Sequence, residues 1–142
     1  MISPSDSVIK LKHCERIYYE HTDSTEFVYH TNYLKFMERA RTEWLDSLGF
    51  SQRTLKQKHN IFFVVKTAHI NYIKPAKLDD ILSLTIRELK TRRASLRIKQ
   101  DITLGKNQII CQGEFMLACV SSVSSIPVRI PGQILSAISD VS

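Results

Sequence analysis

Between residues 31 and 48 the apolar side chains Tyr33, Phe36, Met37, Ala40, Trp44 and Leu48 recur at steps of three or four. That is the period of an α-helix, and it places them on one face. Leu34 and Leu45 widen the stripe until most of the girth is apolar, so this helix needs cover on nearly every side. Gly49 follows Leu48 where a helix stop belongs. No other stretch carries the period over a comparable length. The cover must come from strands.

The flanking sequence supplies them. Residues 8–19 open with Val8, Ile9, Lys10 and Leu11 and predict a strand running through Ile17, Tyr18 and Tyr19. Residues 60–72 are rich in β-branched and aromatic side chains. Residues 74–80 form a turn by their proline and paired acids. Residues 81–89 alternate, with Ser83, Thr85 and Arg87 opposing Leu82, Leu84, Ile86 and Glu88. Residues 95–104 alternate again, Gly105-Lys106-Asn107 signals a hairpin, and residues 108–120 return as a last long strand. After a polar linker at 121–125, Pro127 and Pro131 frame an extended tail that ends in a helical turn at 133–138. The class is α+β: an antiparallel sheet wrapped around one long central helix. Such a sheet leaves long edges, which favours pairing of two copies.

At 142 residues the chain suits a single domain, with its core roughly at 8–135 and no internal repeat. Cys14, Cys111 and Cys119 make no metal-like pair, and the last two sit in an apolar run, as buried thiols of a reducing compartment do. Residues 1–6 lack the order of a secretion signal, and no apolar run approaches the ~18 residues of a membrane span. A cytoplasmic protein without stable membrane insertion is the expectation. The net charge of +6 favours an anionic partner. Lys90, Arg92, Arg93, Arg97 and Lys99 cluster at one turn, but no aromatic lies among them, which argues against nucleic acid.

Chemistry concentrates just before the long helix, in Tyr18-Tyr19-Glu20-His21-Thr22-Asp23-Ser24-Thr25-Glu26-Phe27-Val28-Tyr29-His30. Alone, an Asp in a polar turn is a turn former or a cap. Here Tyr19 precedes Asp23, and His30 follows at the far end of the same loop, where its N–H points outward as a donor. A carboxylate beside a backbone donor is the equipment of acyl hydrolysis: one attacks or activates water, the other holds the oxyanion. His69, in a strand, reads as structural, and Trp44 as core. Glu38 is a candidate helper carboxylate on the helix.

The run from Tyr18 to Gly49, with His30-Thr31-Asn32-Tyr33-Leu34-Lys35-Phe36-Met37-Glu38-Arg39-Ala40-Arg41-Thr42-Glu43-Trp44-Leu45, resembles the hotdog-fold acyl-CoA thioesterases. More narrowly it is similar to their 4-hydroxybenzoyl-CoA-thioesterase-like branch, the type associated with the Tol-Pal system. The stretch from Ala68 to Asp80, Arg93-Ala94-Ser95-Leu96 and Arg129-Ile130-Pro131 follow in the same order. The resemblance implies a hotdog domain, a homodimer or homotetramer with shared sites, and an acyl-CoA or acyl-carrier-protein thioester as substrate. It assigns Asp23 as base or nucleophile, the His30 amide as carbonyl donor with the imidazole in the same site, and Tyr19 as a pocket wall. It further implies that Arg93 and Ser95 border the CoA channel, and it implies neither metal nor cofactor.

The pattern also departs from the family. Where relatives carry Asp-Ala-Gly-Gly, this chain has Asp23-Ser24-Thr25-Glu26. Thr25 is expected to fit a left-handed position poorly, Glu26 to raise the pKa of Asp23, and His21 to offset that charge in part. The expectation is reduced or retuned activity. A hotdog protein that binds acyl-CoA or acyl carrier protein without turnover is the alternative, and a hotdog dehydratase is a further enzyme class.

Overall fold

The computed structural model describes residues 12–140. Its elements are β1 (Lys12–Arg16), α1 (His30–Ser47), α2 (Gln52–His59), β2 (Ile61–Tyr72), β3 (Ile81–Thr91), β4 (Ser95–Leu104), β5 (Gln108–Ser121) and α3 (Gly132–Asp140). The five strands form one antiparallel sheet in the order β1-β3-β4-β5-β2. Helix α1 lies in its concave face, and Tyr33, Phe36, Met37, Ala40, Trp44 and Leu45 are buried there. The apolar stripe thus dictates the architecture: Leu82, Leu84, Ile86, Ile98, Ile102 and Phe115 close over the helix. This is the α+β hotdog arrangement. Gly49, at φ 91°, ends α1, and the amide of Phe50 returns to the Leu45 carbonyl at 2.9 Å.

Two local readings need correction, and one helix is not assigned from the sequence. The expected first strand stops at Arg16, and Tyr19–His21 is a 3-10 turn; residues 8–11 lie outside the described residues. A bulge between Ile86 and Glu88 resets the alternation of β3. Glu88 therefore leaves the apolar face to meet Lys90 and Lys99, each at 3.4 Å, and Leu89 takes the inward place. Residues 52–59 are helical, although they bury only Leu55.

Two polar side chains tie helix to sheet. Gln100, fully buried on β4, donates to the Met37 carbonyl at 3.0 Å and accepts from Arg41 at 2.9 Å. The Arg41 guanidinium sits 4.3 Å from the Phe115 ring centroid, and burial pulls its pKa down to about 10. Burial likewise pushes the Cys111 thiol up to about 12 and the Cys119 thiol to about 11, which makes both unreactive.

Candidate active site

The loop between β1 and α1 is fastened at several points. The Asn32 side chain donates to the His21 carbonyl at 2.8 Å, the amide of Tyr29 donates to the same oxygen at 2.9 Å, and the amide of Val28 reaches the Ala76 carbonyl at 2.9 Å. Thr22 bridges Val28 antiparallel, so residues 22–28 form a small hairpin with Asp23 in its turn. The Asp23 carbonyl accepts from the Glu26 amide at 3.0 Å, and the Asp23 amide donates to the Phe27 carbonyl at 3.0 Å.

Glu26, not Thr25, takes the left-handed position, at φ 71°. A side chain there costs backbone energy that the usual glycine avoids. Glu26→Gly is expected to stabilise the fold by about 1 kcal/mol, read from chemical denaturation. An unchanged midpoint would show the loop carries no such strain.

Thr25 has a different part. Both its hydroxyl and its amide donate to Asp23 Oδ1, the amide at 2.8 Å. The hydroxyl first, then the amide, hold the Asp23 carboxyl below its ordinary range, and His30 adds a weaker coulombic pull. Neither Glu26 nor His21 is among these causes, which overturns the expectation of a raised Asp23 pKa. His21 is instead buried: its Nδ1 accepts from the Tyr18 amide at 2.9 Å, and its ring packs edge-on against Phe36, 5.1 Å between centroids.

Removal of the Thr25 hydroxyl has a predictable sign. If turnover needs the Asp23 carboxylate, Thr25→Val raises its pKa and moves the acid limb of kcat/KM to higher pH. An unmoved limb would assign the limb to another group.

His30 is the first residue of α1, and the capping residue Tyr29 provides no side-chain cap. Among the described residues nothing accepts from the His30 amide, so this N–H stays open at the positive end of an 18-residue helix. The carbonyl of His30 accepts from the Tyr72 hydroxyl at 3.2 Å, and Tyr72 packs on the His30 ring, 6.1 Å between centroids. Val28, His30, Tyr33, Tyr72, Ile73, Lys74 and Pro75 line a cleft of about 240 Å³ at this helix start. The Tyr33 hydroxyl pins its far wall by accepting from the Ala76 amide at 3.0 Å.

Tyr33 and Tyr72 are the wall residues that sequence reasoning passes over. Tyr33 reads as one more member of the helical stripe, and Tyr72 as the end of a strand. Tyr19 stands elsewhere: the residue is 81% exposed and lines none of the described cavities. Arg93 and Ser95 lie at the other end of the sheet. Ser95 pairs with Ala118, and Ala118 with Val64, whereas the cleft is level with Tyr72. At about 3.3 Å per residue, Val64 and Tyr72 are roughly 26 Å apart along β2. Within one chain these groups do not meet Asp23. Glu38 is exposed on α1 beside a second cavity with Arg41 and Phe63. Among the described residues no group of His, Cys, Asp or Glu is placed to hold a metal, and no helix is long and apolar enough to cross a membrane.

A buried helix wrapped by an antiparallel sheet, with a carboxylate turn at the helix start, defines a hotdog-fold thioester hydrolase. Residues 25–111 match the thioesterase superfamily. The acyl-CoA thioesterase YbgC of Haemophilus influenzae is 38% identical over 122 residues, covering 86% of this chain and 89% of the relative. The long-chain acyl-CoA thioesterase FadM of Escherichia coli is 31% identical, over 80% of this chain and 86% of its own. The crystal structure of a probable thioesterase from Bartonella henselae superposes with a TM-score of 0.80 at 30% identity, covering 85% of this chain and 98% of that one. The chain belongs to the thioesterase superfamily.

Proposed function

We propose that the protein hydrolyses acyl-CoA to a carboxylic acid and CoA, with Asp23 and the His30 amide at the reacting carbonyl. The observation that carries this reading is the free Oδ2 of Asp23 on the same loop as the unpartnered N–H that opens α1. The thioester carbonyl oxygen accepts from that N–H, so charge that develops on it meets a fixed donor and the helix dipole. Asp23 either takes a proton from the attacking water or attacks the carbonyl carbon itself, in which case water then cleaves the mixed anhydride. The C–S bond breaks in both routes, and the thiolate leaves and is protonated. Thiolate leaves readily, so these few groups suffice.

The working unit we propose is a homodimer, alone or doubled into a tetramer. Among the described residues edge strand β2 has no partner on its outer side, and Val64 and Val65 are exposed. Antiparallel pairing of β2 with a second copy brings that copy's opposite sheet end, with its Arg93 and Ser95, to this chain's cleft. That accounts for a CoA channel whose residues one chain holds apart. The buried, unreactive cysteines suit a cytoplasmic setting.

Thiol release from short-, medium-, long-chain and aromatic acyl-CoAs, and from the same acyl groups on acyl carrier protein, tests the reading. Turnover of at least one acyl-CoA is expected. Tight binding without thiol release would favour the alternative of a non-hydrolytic acyl carrier.

A further inference from the structure

The charge of this chain is segregated. Residues 47–78 contain Arg53, Lys56, Lys58, Lys66, Lys74 and Lys77 and no Asp or Glu. Of the 20 Lys and Arg, these six leave 14 elsewhere, which the 14 Asp and Glu cancel, so the whole net charge of +6 resides in this stretch. In the fold the stretch is α2, the edge strand β2 and the loop that ends at the cleft.

All six side chains are exposed, and among the described residues none lies within ion-pairing distance of a carboxylate. The other basic cluster is different. Lys90 and Lys99 are engaged by Glu88, and Arg97 faces Glu114 at 3.9 Å, which leaves only Arg92 and Arg93 of that cluster exposed and without an ion pair among the described residues. The longest acid-free stretch therefore starts with Arg53, Lys56 and Lys58 on α2 and reaches Lys74 on the cleft wall; of its six cations only Lys66 lies on β2, the strand proposed to pair with the second copy.

We infer that this acid-free strip recruits the substrate through its nucleotide phosphates, an electrostatic guide that delivers acyl-CoA to the cleft. The inference rests on acyl-CoA being the substrate. The length of the strip argues for a guide rather than a pocket. From Phe62 to Tyr72 alone β2 spans on the order of 30 Å, too far for six cations to touch one nucleotide. A summed field acts over that distance and raises the local concentration of a polyanion at the cleft. Helix α2 fits this part: it is amphipathic only through Leu55, and its remaining face presents Arg53, Lys56 and Lys58 to solvent.

The test compares an acyl-CoA with the same acyl group on pantetheine, which keeps the thioester and lacks the phosphates. For the unaltered protein, kcat/KM on acyl-CoA is expected to fall about tenfold as ionic strength rises from about 0.02 to 0.2 M, while the pantetheine thioester is insensitive to salt. Replacement of all three α2 cations (Arg53→Gln, Lys56→Gln and Lys58→Gln) is expected to lower kcat/KM on acyl-CoA about fivefold at low salt, flatten the salt dependence and leave the pantetheine rate unchanged. Equal salt dependence for the two substrates overturns the inference without any substitution, so a poorly folding variant does not shield it. Unchanged kcat/KM in the triple variant, with loss of binding to anionic phospholipid vesicles, overturns it too and assigns the strip to a lipid surface. Hydrolysis of both thioesters with no salt effect removes the guide and leaves the catalytic reading intact; hydrolysis of neither removes that reading.

Discussion

Asp23→Asn is expected to lower kcat by about three orders of magnitude, with little change in substrate affinity. The substitution is nearly isosteric. Asn retains an oxygen to accept from the hydroxyl and amide of Thr25, so the turn keeps its hydrogen bonds. What changes is the second oxygen, which becomes an amide NH₂ able neither to take a proton from water nor to attack. Glu26 still sits left-handed and the His30 amide still opens the helix, so the site keeps its shape and loses its carboxylate. Thiol release and binding of a non-hydrolysable acyl-CoA analogue, measured together, separate the two effects. Equal turnover by both proteins would mean that another group does the chemistry.

Gly113→Val is expected to destabilise the protein by about 3 kcal/mol and lower Tm by roughly 10 °C. Gly113 lies at the middle of β5, opposite Ile70 on one side and Gln100 on the other. A Cβ there would stand 2.7 Å from Met37 Sδ and 2.7 Å from Phe115 Cε2. Met37 can swing its sulfur away at modest cost. Phe115 is held, because the Arg41 guanidinium lies over its ring, and the helix itself is pinned by the bond from Gln100 to the Met37 carbonyl. The branched side chain must therefore push α1 off the sheet or turn the ring out of its well. Thermal and denaturant unfolding read the loss directly. A variant as stable as the parent would mean that helix and sheet are less tightly fitted than these distances imply.

This glycine illustrates what the sequence hides. In the chain it is one more small residue in an alternating strand, and its role exists only once α1 is laid against the sheet. Helix α1 is legible because its stripe is periodic and its stop is a glycine, and β4 and β5 because their alternation is regular. Helix α2 is not, since a helix with one apolar residue has no stripe to see. Its signals are at the ends: Ser51 Oγ accepts from the Thr54 amide at 3.1 Å, and Asn60 closes it at φ 54°. The bulge at Arg87 is hidden for a related reason, because alternation on either side looks unbroken and only pairing with β4 exposes the shift.

In the loop, the positions of Asp23 and His30 at the start of α1 follow from the motif. The electrostatics of Asp23 do not. In the sequence Thr25 stands out for its backbone preference, whereas in the fold its hydroxyl is the main cause that lowers the pKa of Asp23. Glu26 stands out for its charge, whereas its backbone bears the strain. Tyr72 escapes because its contribution, a hydroxyl given to the His30 carbonyl, joins residues far apart in the chain.

The most direct test of the central claim is the structure of Asp23→Asn crystallised with an uncleaved acyl-CoA. The account predicts the thioester carbonyl oxygen within hydrogen-bonding distance of the His30 amide, with the substituted side chain at position 23 beside the carbonyl carbon. A thioester bound elsewhere, or with its carbonyl turned away from the start of α1, would contradict it.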